Sequence, residues 1–284
     1  MADTRLPTIT IVTPSLNQAK YLPETIESVL NQGYPHLEYI IVDGGSTDGS
    51  VEIIKKYQRH LAYWASETDS GQSEAINKGF RKATGVLFNW INSDDLLFPG
   101  ALRRIGEAFA RNPTSGLIVG DHGCCDPAGR IIWVSAVSSR AAMSLAGWLM
   151  VMGQQSTFVS AEAFRRVGGV REDLHISMDM DLYYRLCRSG AKVLRAHGLV
   201  GVIRKHPEAK GSTSQALWRQ EQTRLFQEYA INLDSRIRAI VAMRFRRMMD
   251  GSYLRSLALL HRWKGKRPWD LHPAQSRMTM RNRG

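Results

Sequence analysis

The interpretation of this chain depends on residues 86–95, which read Val-Leu-Phe-Asn-Trp-Ile-Asn-Ser-Asp-Asp. The first six form an apolar stretch with the composition of a buried strand. Asp94 and Asp95 follow where that strand would reach the surface. Two adjacent carboxylates supply the hard oxygen ligands that Mg²⁺ or Mn²⁺ prefers, with water and substrate phosphate completing the shell. The alternative is that one of them caps a helix that opens near Pro99.

The segments before this strand alternate between strand and helix patterns. The β-branched residues 7–13 predict a buried strand closed by Pro14, and helical spacing of apolar residues predicts a helix that begins at Pro23. Residues 37–42 then predict a second strand, and residues 50–59 a second helix. This β-α-β-α order favours a parallel sheet.

Acidic residues recur where these strands would end. Ligands of open α/β sheets collect beyond the carboxyl ends of the strands, where Pro14, Asp43, Asp69 and the pair Asp94–Asp95 would meet. The sequence has no G-x-G-x-x-G turn after Asp43 and no G-x-x-x-x-G-K-[ST] loop, which argues against an NAD enzyme and a P-loop NTPase. Without a glycine-rich phosphate-binding loop, a bound diphosphate would need a metal to neutralise its charge.

Four ordered motifs together resemble glycosyltransferase family 2. They are residues 9–17 (ITIVTPSLN), 41–49 (IVDGGSTDG), 66–79 (SETDSGQSEAINKG) and 90–95 (WINSDD). The resemblance extends roughly from residue 8 to residue 214. It implies a GT-A fold, which is a Rossmann-like α/β domain with a mixed, mostly parallel sheet flanked by helices. It also implies a nucleotide-sugar donor, a divalent metal (Mn²⁺ or Mg²⁺) and inversion at the anomeric carbon.

The resemblance assigns the residues of the donor pocket. Pro14 would lie against the base, and Asp43 would accept a hydrogen bond from a uracil-like ring edge, which favours UDP over GDP and dTDP. Asp69 and Gln72 would help to shape the pocket.

The resemblance also assigns a metal site. Asp94 would face the ribose or the sugar, while Asp95, the last residue of the D-x-D-like motif, would ligate the metal. Asn92 replaces the first carboxylate of that motif, so the division of labour between the two aspartates stays open. His206 lies where related enzymes close a mobile loop over the diphosphate, and it could bind phosphate or join the metal. A solvated histidine in a polar loop is the alternative.

Residues 174–186 are similar to the family segment that supplies the catalytic base. An inverting transfer needs a carboxylate that takes the proton of the attacking hydroxyl, an effect of ~10²–10⁴-fold in rate. Asp179 fits this role, although Met178 stands where the family often has Glu, and Asp181 is the second candidate. Both aspartates could instead cap the helix that follows. Gln155 is assigned to the acceptor side of the cleft.

Positive charge is concentrated at the C-terminal end. The 284 residues are 43% hydrophobic and carry a net charge of +12, and residues 235–284 hold 13 Lys and Arg against 2 Asp and Glu. A chain of this length can bury one large core and an appendage. We therefore predict a GT-A nucleotide-sugar transferase domain in residues 1–214 and a basic amphipathic helical region in residues 215–284.

Two stretches of this basic region, 237–249 and 253–263, interleave apolar residues with Arg at helical spacing. Such helices can lie in an anionic membrane surface, pack on the main domain, or form a dimer interface. No apolar run reaches the roughly 18 residues of a membrane span. Nucleic-acid binding, which needs basic and aromatic residues on one face, is less favoured.

The remaining features favour a location of the protein in the reducing cytoplasm. Peripheral attachment to the inner face of the membrane is compatible with this location. The three cysteines include an adjacent pair and match neither a disulfide framework nor a zinc site. The first residues lead into the first strand without a secretory signal.

The sequence thus predicts a glycosyltransferase that moves a sugar from a nucleotide diphosphate sugar to a hydroxyl of a glycan or lipid-linked acceptor. A metal-dependent sugar-phosphate nucleotidyltransferase is one alternative, against which the absence of an early glycine-rich basic triphosphate loop counts. A catalytically inactive relative that binds membrane or nucleic acid is the other, against which the retained acidic motifs count.

Overall fold

The computed structural model describes residues 6–137, 152–231 and 233–271. The strands are β1 Ile9–Ser15, β2 Leu37–Asp43, β3 Tyr63–Ser66, β4 Leu87–Trp90, β5 Leu96–Leu97, β6 Leu117–Cys125, β7 Ile131–Ser135, β8 Thr157–Ser160 and β9 Val193–Arg204. The helices are α1 Leu22–Leu30, α2 Ser50–Tyr57, α3 Gln72–Lys82, α4 Ala101–Arg111, α5 Ala161–Arg166, α6 Met178–Arg188, α7 Lys210–Thr213, α8 Gln215–Glu228, α9 Leu233–Met249 and α10 Ser252–Trp263. Three short 3₁₀ turns cover Gln58–His60, Gln154–Ser156 and Pro268–Leu271.

The strands form one mixed sheet. Eight of the strands described run in the order β3-β2-β1-β4-β8-β6-β9-β5, and β7 pairs with the C-terminal half of β6. The first four strands in this order are parallel to one another, as the β-α-β-α pattern predicted. The pairs β4–β8, β6–β8 and β5–β9 are antiparallel.

Helices cover both faces of the sheet, because the central strands are apolar on both sides. In β1, Ile9 and Ile11 join the core under α1 and α4, whereas Val12 joins the core under α3 and α6. This alternation follows from the two-residue period of a strand, and a strand buried on both faces reads as a continuous apolar run.

Pro14 does not close the first strand, contrary to the sequence-based expectation. It lies within β1, opposite Val42 of β2. The pairing of β1 with β4 stops at Val12. The imide nitrogen, which cannot donate, therefore faces no carbonyl of β4.

The helix near Pro99 begins too far along the chain for Asp94 or Asp95 to be its N-cap residue. Helix α4 starts at Ala101, and its N-cap residue is Gly100, which makes no side-chain cap. The interpretation of Asp94 or Asp95 as a helix cap is therefore wrong. The residues that follow Asp95 instead form β5.

The short strand β5 explains the position of the aspartate pair. Leu96 and Leu97 pair antiparallel with Val202 and Gly201 of β9. This register sets the residues just before β5 beside the C-terminal end of β9. The Asn-Ser-Asp-Asp segment is thereby brought against a part of the chain more than 100 residues away.

The basic C-terminal region packs partly on the sheet. Trp263 of α10 is buried and meets Phe98 edge to face, with ring centroids 4.9 Å apart. Leu259 and Leu260 pack on the same small core. Within the three described ranges, no helix combines the length and the apolar character that crossing a bilayer demands.

Candidate active site

A cleft of about 850 Å³ opens at the carboxyl ends of β1 and β4 and is bordered by the segment that follows β9. It brings together six of the residues predicted for the site, namely Pro14, Asp69, Gln72, Asp94, Asp95 and Gln155. The structure therefore gathers most of the predicted donor pocket in one place.

The two aspartates occupy different depths of this cleft. Asp95 is only 2% exposed, and its carboxylate accepts hydrogen bonds from the backbone N–H of Arg204 (2.9 Å), from Gln155 Nε2 (2.6 Å) and from Asn92 Nδ2 (3.1 Å). Burial, and then the neighbouring carboxylate of Asp94, raise the pKa of Asp95 well above its ordinary value. Asp95 is thus a buried carboxylate that holds Asn92, Gln155 and the end of β9 together.

Asp94 lies nearer the opening and contacts His206. Its Oδ2 is 3.1 Å from Nε2 of His206, whose side chain is 1% exposed. The imidazole stacks obliquely on Tyr21, with ring centroids 4.5 Å apart. The alternative of a solvated histidine is therefore wrong, because His206 is buried against the acidic motif.

The local chemistry fits a divalent cation. Two neighbouring carboxylates and an imidazole nitrogen are ligands that Mn²⁺ accepts, and a cation would offset the raised pKa of Asp95. Within the described residues, no group of three or more His, Cys, Asp and Glu side chains is arranged as a metal site. Diphosphate oxygens and water would have to supply the other ligands, as is usual for Mg²⁺ at phosphate sites.

Arg204 contacts the acidic motif from the buried side, and no role was predicted for it from the sequence. Its buried guanidinium donates to the carbonyl of Asp94 (2.9 Å), to the carbonyl of Pro127 (2.8 Å) and to Glu24 Oε2 (2.7 Å). It also lies over the ring of Tyr21, at 4.9 Å from the centroid. The signal in the sequence was an arginine directly after the apolar run of residues 199–203.

Acidic and basic side chains both line the cleft. Gln72 donates to Asn92 Oδ1 (2.6 Å), and its Oε1 accepts from Lys210 Nζ (3.1 Å). Burial raises the pKa of Asp69 and lowers the pKa of Lys210. Lys205 lines the same wall as Lys210. Two lysines beside the acidic motif suit an anionic ligand with a metal.

Asp43 fixes the turn that follows β2. Its fully buried carboxylate accepts from the backbone N–H of Gly45 (3.1 Å) and Ser46 (2.8 Å) and from the hydroxyls of Ser46 (2.5 Å) and Ser66 (2.7 Å). It is not among the residues that line the cleft in the described part of the chain. Its contact with a uracil-like edge stays a prediction.

Asp179 lies half-buried in the first turn of α6. Burial raises its pKa to about 6, although the backbone N–H of Met180 donates to it and acts in the opposite direction. The N-cap residue of α6 is Ser177, so neither Asp179 nor Asp181 caps this helix. Within the described ranges, Asp179 does not line the cleft. Its role as the base stays a prediction.

The segment before α6 is tied to the cleft wall. Ser73 Oγ of α3 donates to the carbonyl of Leu174 (2.5 Å). The buried carboxylate of Glu221 on α8 accepts the backbone N–H groups of residues 175–177, at 2.7 to 3.1 Å. Helix α8, predicted as part of the basic region, therefore helps to hold the base candidate.

Asp181, the second candidate for the base, is engaged elsewhere. Its side chain is fully buried and accepts from Arg185 Nε (2.8 Å) and Nη2 (2.5 Å), and also from the hydroxyl of Tyr229. A carboxylate held in a buried ion pair is poorly suited to accept a proton from a substrate. Gln155 lines the cleft and donates to Asp95, and its assignment to the acceptor side stays a prediction.

Substitution of Arg204 by Lys is expected to destabilise the protein by about 1–3 kcal/mol, because an ammonium keeps the charge but cannot reach three acceptors in one plane. Urea unfolding monitored by tryptophan fluorescence measures this change. Arg267→Lys is the matched control, since Arg267 is half-exposed and contacts the same Glu24 at 3.4 Å. Equal stability of the two variants would show that the planar contacts of Arg204 contribute little.

Comparisons with known proteins identify the family of this chain. The sequence profile of glycosyl transferase family 2 matches residues 10–167, more than half of the chain. A putative teichuronic acid biosynthesis glycosyltransferase of Bacillus subtilis, TuaG, is 39% identical over 94 residues, which are 31% of this chain and 36% of TuaG. The uncharacterized glycosyltransferase Rv1514c of Mycobacterium tuberculosis is 30% identical over 188 residues, 64% of this chain and 70% of that protein.

Two solved structures share the fold. The mannosyltransferase PcManGT from Pyrobaculum calidifontis, in complex with GDP-Man and Mn²⁺, has a TM-score of 0.61 at 17% identity and covers 98% of this chain and 81% of its own. S. aureus TarS 1-349, in complex with UDP-GlcNAc, has a TM-score of 0.54 at 17% identity over 72% of this chain and 61% of its own. These likenesses confirm the predicted GT-A fold. The profile match shows that this chain belongs to glycosyl transferase family 2.

Proposed function

We propose that this protein transfers a sugar from a nucleotide diphosphate sugar to a hydroxyl group of a glycan or lipid-linked acceptor, with inversion at the anomeric carbon. The observation that carries the proposal is the contact of Asp94 with the buried His206. Asp94 lines the cleft together with Asp95 and two lysines. In this proposal residues 1–214 form the catalytic domain, and Glu221 of the following helix supports it.

The donor occupies the cleft between β1 and the segment after β9. Pro14 lies against the base, and Asp69 and Gln72 shape the wall near α3. Lys205 and Lys210 face the diphosphate, since cations stabilise its charge. UDP is the favoured nucleotide because of the position of Asp43 in its motif, and GDP and dTDP are the competing candidates.

The metal role falls on Asp94 and His206 rather than on Asp95. Asp94 is the more exposed carboxylate and already contacts the imidazole, whereas both oxygens of Asp95 accept hydrogen bonds from the protein. Asp95 then keeps Asn92, Gln155 and the end of β9 in place. A bound divalent cation would stabilise the charge that develops on the leaving nucleotide.

Asp179 is the proposed base. A raised pKa suits a carboxylate that must take a proton near neutral pH, because the base becomes stronger while remaining largely ionised. The acceptor hydroxyl, once deprotonated, attacks the anomeric carbon from the face opposite the nucleotide. A location in the reducing cytoplasm would agree with the three cysteines, because all of them are free thiols.

Isothermal titration with UDP, GDP and dTDP, each with and without Mn²⁺, tests the donor half of the proposal. We expect one nucleotide to bind, and to bind more tightly with the metal, because the cation screens the diphosphate from Asp94 and Asp95. Binding of none of the three would contradict the proposal. Product analysis then separates the reaction classes, since a transferase releases the nucleoside diphosphate and a nucleotidyltransferase releases pyrophosphate.

A further inference from the structure

Helices α9 and α10 expose an apolar surface, which we call the outer face. Its members on α9 are Ile237, Val241, Phe245, Met248 and Met249, and its members on α10 are Tyr253, Leu254 and Leu257. Each of these side chains is between 48% and 68% exposed. Single exposed apolar residues are ordinary, but eight of them on two consecutive helices mark a surface that contacts something else.

Packing on the main domain does not account for the outer face. The side of α10 that packs on the sheet carries Trp263, Leu259 and Leu260. Leu254 lies opposite Trp263 on the helix, and Tyr253 and Leu257 lie between that direction and Leu260. All three are between 48% and 68% exposed. The apolar residues of α10 therefore extend around the helix beyond the part that the described residues cover.

Arginines flank the outer face. At about 3.6 residues per turn, Ile237, Val241, Phe245 and Met248 form one stripe along α9. Arg238 and Arg244 fall on opposite sides of that stripe, and both are exposed. An apolar stripe between cationic margins is the pattern of a helix that lies in a lipid interface, with its apolar residues inserted and its arginines at the headgroups.

We propose that the outer face docks this protein on an anionic lipid bilayer. The charge of the region decides between lipid and a second copy of the chain, because residues 235–284 contain 13 Lys and Arg against 2 Asp and Glu. A two-fold contact through the outer face would bring the same basic patch of both copies together, whereas anionic headgroups complement it. This inference is independent of the proposed sugar transfer.

Co-sedimentation with vesicles tests the proposal. The full chain is mixed with vesicles of equal parts phosphatidylcholine and phosphatidylglycerol, and separately with pure phosphatidylcholine. We expect binding to the anionic vesicles that weakens with added salt, and little binding to the neutral ones. The double variant Phe245→Ser/Leu254→Ser should lower the partition coefficient by about tenfold or more, because less apolar area is inserted.

A second variant and a control separate insertion from loss of fold. Arg238→Gln/Arg244→Gln keeps the apolar stripe, and at about fivefold per lost cation should weaken binding by roughly thirtyfold. Val86→Ser, an exposed apolar change on the main domain, should bind as the wild type does. Nucleotide titration and urea unfolding check the fold of every variant without reference to lipid.

Three results would overturn the proposal. The first is that the wild type binds neither kind of vesicle, and the second is that both double variants bind as tightly as the wild type. The third is that the wild type sediments as a dimer which Phe245→Ser/Leu254→Ser converts to a monomer, with no binding to lipid. That last result would assign the outer face to a second copy of the chain.

Discussion

Asp94→Asn is expected to remove metal-dependent nucleotide binding almost completely. The substitution keeps the shape of the side chain and one acceptor oxygen but deletes the charge that faces His206. Loss of an outer partner of a metal ligand already costs about 10–100-fold in affinity, so loss of a ligand should exceed about a hundredfold. Titration of Mn²⁺ by electron paramagnetic resonance, followed by nucleotide titration in its presence, measures both effects.

The comparison with Asp95→Asn decides which aspartate holds the metal. An amide at position 95 would place its NH₂ group against the NH₂ groups of Gln155 or Asn92, or against the backbone N–H of Arg204. We therefore expect this variant to lose stability in urea. If Asp95→Asn were stable and lost Mn²⁺ while Asp94→Asn kept it, the assignment first made from the sequence would be right. Glu162→Gln on the surface of α5 is the matched charge control.

Asp179→Asn is expected to lower turnover by about 10²–10⁴-fold with unchanged nucleotide affinity, because the acceptor proton would have no carboxylate to receive it. Released nucleoside diphosphate, followed at saturating donor, gives the rate. Asp173→Asn is the matched control, since Asp173 is half-exposed and lies six residues away along the same segment. Near-normal turnover of Asp179→Asn would exclude this residue as the base.

The raised pKa of Asp179 gives two further signatures. The base must be ionised, so the turnover of the wild type should rise with pH through about 6 and level off above it. The folded state favours the neutral carboxyl, so any stability from this residue is present at low pH and is lost as the pH rises through about 6. Above that pH, Asp179→Asn should be at least as stable in urea as the wild type, which separates a catalytic loss from an unfolded variant.

Local patterns predicted the parallel part of the sheet and several acidic residues of the cleft, and the family resemblance added the GT-A fold and Gln72. The β-branched run in β1, the apolar spacing of α1 and the aspartates after β4 each report on their own neighbourhood. Parallel strands then bring their carboxyl ends to one edge of the sheet. This geometry is why Pro14, Asp69, Gln72 and the aspartate pair lie in one cleft.

The tertiary structure alone decided what each residue of the cleft contacts. The antiparallel register of β5 with β9 sets Arg204 beside Asp94 and Asp95, and no local pattern encodes a pairing across more than 100 residues. Burial then distinguished two adjacent aspartates that the motif treats alike. In the same way, packing sets Arg185 and Tyr229 against Asp181, which makes Asp181 the weaker candidate for the base.

The basic helices show the same division. The spacing of their apolar residues and arginines is evident from the sequence. The sequence also raised the question of whether the apolar residues pack inward or contact a partner. In the structure the two sides of α10 differ, because Trp263 packs against Phe98 while Leu254 stays exposed. Amphipathic spacing is a property of the chain alone, whereas the covering of a face depends on which surface lies next to it.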